Sequence, residues 1–136
     1  QERPKHFGRS FGINRSIVCK EAAKMMKGYD IEEARQFILS RIDRKPFRKI
    51  EDKLPKIIGD LITYDLHFMS LTGVIDENGE QGENDYDDDE AFEYIYDAWL
   101  SDNPSEPDDD MIVAQLLNRY MELQLEYLCA HGLAEL

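Results

Sequence analysis

Positive charge is almost missing from the second half of this chain. Residues 57–136 carry a single Lys or Arg, Arg119, against 21 Asp and Glu, whereas residues 1–56 carry 15 Lys and Arg against 8 Asp and Glu. The 136 residues have a net charge of −13. Such an uneven distribution favours contacts between oppositely charged surfaces, either within the protein or with a basic partner.

Other absences exclude whole classes of protein. The two cysteines, Cys19 and Cys129, lie near opposite ends without a CxxC or Cys/His metal spacing, so we expect free thiols in a reducing cytoplasm. No apolar run approaches the roughly 20 residues of a membrane span, and the polar opening QERPKHFGRS predicts no secretory signal. No activated nucleophile or phosphate-binding glycine loop is recognisable, so the sequence predicts neither an enzyme nor a cofactor.

The length predicts one domain, preceded by a flexible basic arm over residues 1–13. Within the domain, residues 14–56 form the basic half and residues 57–136 the acidic half. Apolar residues recur at helical spacing in both halves, and no strand-like alternation occurs. The sequence therefore predicts an all-α, single-domain bundle of about five helices.

Caps and breakers place the predicted helices along the chain. The first begins near Asn14 or Ser16 and ends at Gly28, and Asp30 with Glu33 predicts a capping box for the second, which ends near Asp43. Pro46 begins a third segment, with Pro55 either a kink or a new start, and a broad apolar stripe follows as far as Gly73. The fourth helix runs from Ala91 to Trp99, and the fifth from Met111 to Cys129, closed by Gly132.

A long acidic loop, DENGEQGENDYDDDE over residues 76–90, is predicted between helices three and four because it contains no aliphatic residue. Its oxygen-bearing side chains alternate as in a calcium-binding loop, but Gln81 stands where the turn needs Gly and Asp87 stands where a bidentate Glu is usual. A solvated loop with weak affinity for divalent cations is the alternative. The candidate metal ligands are Asp76, Asn78, Glu80, Asn84 and Asp87.

One face of the third helix brings together Asp60, Tyr64 and His67, as a proton relay or a metal site would require. Only one nitrogen ligand is available there. The simpler interpretation is a histidine at the edge of the core.

The basic half allows a nucleic-acid-binding interpretation. Arg3, Lys5, Arg9 and Arg15 precede two helices of helix-turn-helix size. However, the second helix opens with Asp30, Glu32 and Glu33, where phosphates would lie. An alternative is that the basic segment docks on the acidic one, within a chain or across a homodimer.

The leading functional prediction is a small interaction or regulatory protein that presents an acidic surface to a basic protein partner and self-associates through its long helices. Because Tyr94 and Tyr96 cannot both face the same core as Ile95, we expect at least one of them to be exposed or at an interface. Nucleic-acid regulation through the basic arm is the first alternative, and weak divalent-cation binding is the second. The predicted partner-binding residues are Asp87, Asp88, Asp89, Glu90, Tyr94, Asp108, Asp109 and Asp110.

Overall fold

The computed structural model describes residues 26–104 and 110–134. In these ranges it contains four α-helices, one 3₁₀ helix and no β-strand, which confirms the all-α class. The predicted basic arm and the predicted first helix up to residue 25 lie outside the described residues, as do Asp108 and Asp109. None of the helices in the described ranges is both long enough and apolar enough to cross a membrane.

Helix α1, Ile31–Arg41, begins where the sequence predicts. Its N-cap, Asp30, accepts a hydrogen bond of 3.0 Å at Oδ1 from the backbone N–H of Glu33, which satisfies one of the donors that a helix start leaves open. The other half of the predicted capping box is replaced, because the Glu33 carboxylate accepts a hydrogen bond of 2.9 Å from the hydroxyl of Tyr127.

The chain continues through a 3₁₀ helix, Lys45–Lys53, into helix α2, Leu54–Thr72. Pro46 and Pro55 each stand in the first turn of their element, where the missing N–H of proline costs no hydrogen bond. Gly73 closes α2 with a φ of 81°, a left-handed conformation that glycine adopts freely. Eleven of the 19 residues of α2 are buried, so this helix is the centre of the fold.

Residues 73–87 connect α2 to the next helix and have a defined path. Ile75 and Gln81 pair as an isolated antiparallel bridge. Gly82 lies so close to the end of α2 that a Cβ atom there would stand 2.1 Å from the carbonyl oxygen of Gly73. This connection therefore folds back onto α2, although most of its acidic side chains are exposed. The sequence predicts a solvated loop but not this defined path.

Helix α3, Asp88–Asp102, begins three residues before the predicted start at Ala91. Asp87 is its N-cap, and the acidic side chains of the first turn lie where the helix dipole favours negative charge. Helix α4, Asp110–Ala130, agrees with the predicted fifth helix. The acidic loop is thus shorter than predicted because its last residues are helical.

The helices pack around α2, which contacts α1, α3 and α4, while α4 also lies against α1 and α3. The apolar stripes predicted from the sequence face one another inside this bundle. Burying each large aliphatic side chain contributes about 1.5–3 kcal/mol. Fully buried examples are Ile38 of α1, Leu61, Ile62 and Leu66 of α2, Ile95 of α3, and Leu116 and Leu117 of α4.

Candidate functional site

Helix α3 and the residues before it carry a concentrated negative charge. Between residues 73 and 102 the chain has 12 Asp and Glu and neither Lys nor Arg. Such a cluster produces a local negative potential that attracts cationic groups. Six exposed members form what we call the acidic surface: Asp85, Asp87, Asp88, Asp89, Glu93 and Asp97.

The acidic surface is held on a fixed frame. The opposite face of α3 buries Ala91, Ile95 and Trp99 against the rest of the bundle. At the start of the helix, Asp87 Oδ1 accepts hydrogen bonds of 2.9 Å and 3.1 Å from the backbone N–H groups of residues 89 and 90. The exposed carboxylates are therefore attached to a helix whose position and start are both determined.

The remaining partner-binding candidates are less exposed. Glu90 and Asp110 are half-buried, and so are Tyr94 and Tyr96. The Tyr94 hydroxyl lies 2.8 Å from Nδ1 of His67, and the Tyr96 hydroxyl donates a hydrogen bond of 3.1 Å to the carbonyl of Asp110. Both tyrosines are therefore partly exposed, and their hydroxyls bond to residues of other helices.

The candidate calcium ligands are used within the protein itself. Asp76 Oδ1 accepts hydrogen bonds of 2.8 Å and 3.0 Å from the backbone N–H groups of Asn78 and Glu80. Asn84 donates to the carbonyl of residue 72 at 2.7 Å, and Asp87 caps α3. Within residues 26–104 and 110–134, no group of three or more His, Cys, Asp and Glu side chains is arranged to hold a metal ion.

The three side chains considered for a proton relay on α2 contact three different residues. The first side chain, Asp60, lies 2.8 Å from the Lys56 ammonium. The second, Tyr64, donates a hydrogen bond to the carboxylate of Asp102, and the third, His67, is buried and contacts Tyr94. The histidine is thus a core residue, as the simpler interpretation of the sequence has it.

Ion pairs among the described residues join the basic half of the chain to the acidic half. Lys27 Nζ lies 3.1 Å from the carboxylate of Glu80, and Arg41 Nε lies 3.8 Å from that of Glu126. All four side chains are about half exposed or more, so each pair contributes little to stability. The helix that would complete a helix-turn-helix pair lies outside the described residues.

The least expected group is the carboxylate of Asp65, which is fully buried in the middle of α2. Its hydrogen-bond donors are two tyrosines and a glutamine. In the part of the chain that the structure describes, neither Lys nor Arg is among its partners. A buried carboxylate without a cation is costly, and its hydrogen bonds offset only part of that cost.

These hydrogen bonds form what we call the Asp65 network, which joins four segments of the chain. Tyr86, from the connection between α2 and α3, donates to Asp65 Oδ1 at 2.7 Å, and Tyr120 of α4 donates to Oδ2 at 2.7 Å. Gln124 Nε2 lies 2.8 Å from the Tyr120 hydroxyl and 3.3 Å from Oδ2. Tyr29, just before α1, donates to Gln124 Oε1 at 2.6 Å.

Burial controls the acidity of this network. Desolvation raises the pKa of Asp65 from 3.8 to about 6, because it disfavours the charged form more than the hydrogen bonds favour it. The nearby charge of Asp88 acts in the same direction. Burial and the Asp65 charge likewise raise the pKa values of Tyr29, Tyr86 and Tyr120, so these phenols keep their protons at neutral pH.

Sequence reasoning missed this network because its members are distant in the chain. Asp65 itself gives a weak signal, since it lies three residues after Ile62 and four before Met69 on the apolar stripe of α2. A charged residue inside such a stripe must be paired or hydrogen-bonded. Nothing in the spacing of its tyrosine partners identifies them.

The described residues thus contain two features with distinct chemistry. The acidic surface is open to solvent and can attract cationic groups, whereas the Asp65 network is enclosed and can gain or lose a proton inside the bundle. Comparison with models of protein families, with curated proteins and with solved structures finds no match.

Proposed function

We propose that this protein works by binding a protein partner with a basic surface through its acidic surface. The observation that carries the proposal is the composition of residues 73–102, which contain 12 Asp and Glu and neither Lys nor Arg. A field of one sign accelerates encounters with an oppositely charged partner and makes binding sensitive to salt.

The rigid position of these carboxylates supports a specific contact. The successive exposed residues Asp89, Glu93 and Asp97 are four apart, so they lie along one side of α3. Because the helix is fixed by its buried face, the backbone positions that carry these charges are fixed as well. This preorganisation reduces the entropy lost on binding.

Aromatic side chains next to the carboxylates favour arginine in the partner. The rings of Phe92 and Tyr96 are half-buried, and their centroids are 5.8 Å apart. Phe92 lies three residues after Asp89, and Tyr96 lies three residues after Glu93, so each ring has a carboxylate beside it on the helix surface. A guanidinium group can stack on an aromatic face while it bonds to a carboxylate, whereas an ammonium group lacks the planar shape for both contacts.

Self-association through the long helices is not part of the proposal. The apolar faces of α2 and α4 are buried within a single chain. Among the described residues, the large hydrophobic side chains with substantial exposure are Met111 and Leu125 of α4. A homodimer would therefore need another surface.

The proposal is tested by a pull-down with matched charge variants. The first variant neutralises three residues of the acidic surface, Asp88→Asn, Asp89→Asn and Glu93→Gln. The control makes the same change in net charge at exposed positions elsewhere: Asp52→Asn, Glu122→Gln and Glu126→Gln. Both proteins and the wild type capture partners from a lysate at low salt, with and without nuclease, and are eluted by a salt gradient.

We expect one basic protein to be retained by the wild type and the control, in the presence of nuclease, and to be lost from the first variant. Three exposed charge contacts correspond to a weakening of roughly 10- to 100-fold. Retention by all three proteins alike would contradict the proposal. Retained material that disappears with nuclease would show that nucleic acid is the ligand.

A further inference from the structure

Tyr86 connects the acidic part of the chain to the interior of the bundle. Its hydroxyl reaches Asp65 Oδ1, and its ring packs edge-on against Phe68 at a centroid distance of 5.8 Å. Tyr86 directly precedes Asp87, the N-cap of α3. Tyr86 therefore belongs to the Asp65 network and lies in the chain between two residues of the acidic surface, Asp85 and Asp87.

Backbone hydrogen bonds hold residues 73–87 against the end of α2, and Ile75 of this segment is buried in the core. The N–H of Gly82 donates to the carbonyl of Val74 at 2.8 Å, and the N–H of Asn84 donates to the carbonyl of Gly73 at 3.1 Å. These bonds hold the segment against the C-terminus of α2. Among the hydrogen bonds described for this segment, the one donated by Tyr86 is the one that reaches a buried carboxylate.

The two oxygens of Asp65 differ in their ability to accept a proton. Oδ2 faces the Tyr120 hydroxyl, whose oxygen already accepts the amide of Gln124. Oδ1 faces Tyr86, whose oxygen accepts no hydrogen bond from the described residues. A protonated Oδ1 can thus donate a hydrogen bond to the Tyr86 oxygen, and the hydroxyl hydrogen of Tyr86 must then point away from Asp65.

Protonation consequently changes the character of one particular contact. In the ionised state Tyr86 donates to a carboxylate, and such charge-assisted bonds are roughly twice as strong as neutral ones. In the neutral state the same two oxygens share a neutral hydrogen bond. The contacts of Tyr120 and Gln124 with Oδ2 keep their donors.

We infer that Asp65 and Tyr86 form a proton-operated anchor: when Asp65 gains a proton, the Tyr86 hydrogen bond weakens and residues 82–87 open more often. The titratable groups around Asp65 are Tyr29 before α1, Tyr86 in the connection, Tyr120 of α4 and Asp88 of α3. The phenols keep their protons, so Asp65 is the group that changes charge as the medium becomes mildly acidic.

The inference has an unusual consequence, because local and global stability respond in opposite directions. Protonation relieves the burial of a charge and stabilises the whole fold. An opening of residues 82–87 that leaves Asp65 enclosed by Tyr120 and Gln124 removes only the Tyr86 hydrogen bond, so protonation favours that opening. General weakening by acid would loosen all segments together. The position of the loosened amides therefore distinguishes the anchor from ordinary acid destabilisation.

The test is amide hydrogen exchange of the full chain, followed by NMR at about pH 5 and about pH 7.5 and corrected for intrinsic exchange rates. The probes are the amides of Gly82 and Asn84. We expect their protection to be about fivefold lower at the acidic pH, the ratio that separates a charge-assisted from a neutral hydrogen bond. Amides in the middle of α2 should not lose protection.

Three variants make the result specific. Asp65→Asn should give low protection at both pH values, because it is neutral throughout, and Tyr86→Phe should do the same because it lacks the hydroxyl. Tyr96→Phe is the matched control, since it removes a half-buried tyrosine hydroxyl that bonds to the carbonyl of Asp110 instead. It should keep the pH dependence of the wild type.

Equal protection of Gly82 and Asn84 at the two pH values in the wild type would overturn the inference. A pH dependence that persists in Asp65→Asn would do so as well, because another group would then be responsible. Neither measurement involves a partner. The anchor can thus fail while the proposed function survives, and the pull-down can fail while the anchor survives.

Discussion

Replacing Asp65 by Asn is expected to stabilise the folded protein at neutral pH. Asn has nearly the same shape, its oxygen accepts one tyrosine hydroxyl, and its amide donates to another, since a phenol hydroxyl serves as donor or acceptor. The substitution therefore removes the buried charge and keeps the hydrogen bonds. Asp65→Leu is the contrast, because it leaves the donors of Tyr86, Tyr120 and Gln124 without their acceptor and should destabilise the protein.

The size of the effect follows from the two pKa values of Asp65, about 6 in the folded protein and 3.8 as its ordinary value. Below pH 3.8 both states hold the proton, so ionisation costs no stability. Between these values the unfolded chain ionises first, and stability falls as the pH rises. Above the folded pKa the loss is complete and amounts to about 3 kcal/mol.

The assay is urea unfolding of the wild type and Asp65→Asn, followed by circular dichroism at about pH 4.5 and about pH 7.5. We expect the variant to be more stable by about 1 kcal/mol at the lower pH and by about 3 kcal/mol at the higher one. The surface carboxylates are common to both proteins, so their titration cancels in the difference. A difference in stability that does not change with pH would refute the reasoning.

Three further substitutions test the packing. Gly82→Ala should lower the free energy of unfolding by about 1–3 kcal/mol in urea titrations, because the new Cβ would meet the carbonyl oxygen of Gly73. Tyr120→Phe removes a donor to Asp65, so NMR should show a higher pKa for that carboxyl, and the lost buried bond should cost about 1–3 kcal/mol. Trp99→Ala should cost about 3–5 kcal/mol by thermal and urea unfolding, since this side chain is buried under α3.

Local signals in the sequence predicted the helices well because each has a physical cause within a few residues. Asp30 caps α1 through its own side chain, and Gly73 ends α2 by adopting a left-handed conformation. The sequence leaves open whether Pro55 kinks a helix or begins a new one, and the structure places it in the first turn of α2. Such effects depend on neighbours in the chain, so a single sequence contains them.

Contacts between residues distant in the chain determine the features that local sequence signals do not predict. Glu33 was expected to reach back to the start of α1, but a tyrosine 94 residues later takes its carboxylate. The charge of residues 76–90 predicts a solvated loop without compact structure, but Gly82 lies against the end of α2 and Tyr86 bonds to Asp65. In each case a partner distant in sequence outweighed the local preference.

The acidic surface was predictable as composition, whereas its geometry was not. The sequence identified the exposed carboxylates from Asp87 to Asp89, whereas Tyr94, a predicted partner-binding residue, is half-buried with its hydroxyl beside His67. Helical periodicity alone cannot distinguish a tyrosine beside the core from one that faces solvent. That distinction depends on which neighbours α3 meets.

Ionisation of Asp65 inside the folded bundle is the claim on which the anchor and the stability predictions both depend. The most direct measurement is the ¹³C chemical shift of the Asp65 side-chain carboxyl as a function of pH, assigned with the Asp65→Asn variant. An apparent pKa of about 6, which rises further in Tyr86→Phe, is the expected result, because burial raises this pKa and the Tyr86 hydrogen bond lowers it. A carboxyl that titrates near 3.8, as an ordinary exposed Asp does, would contradict the account.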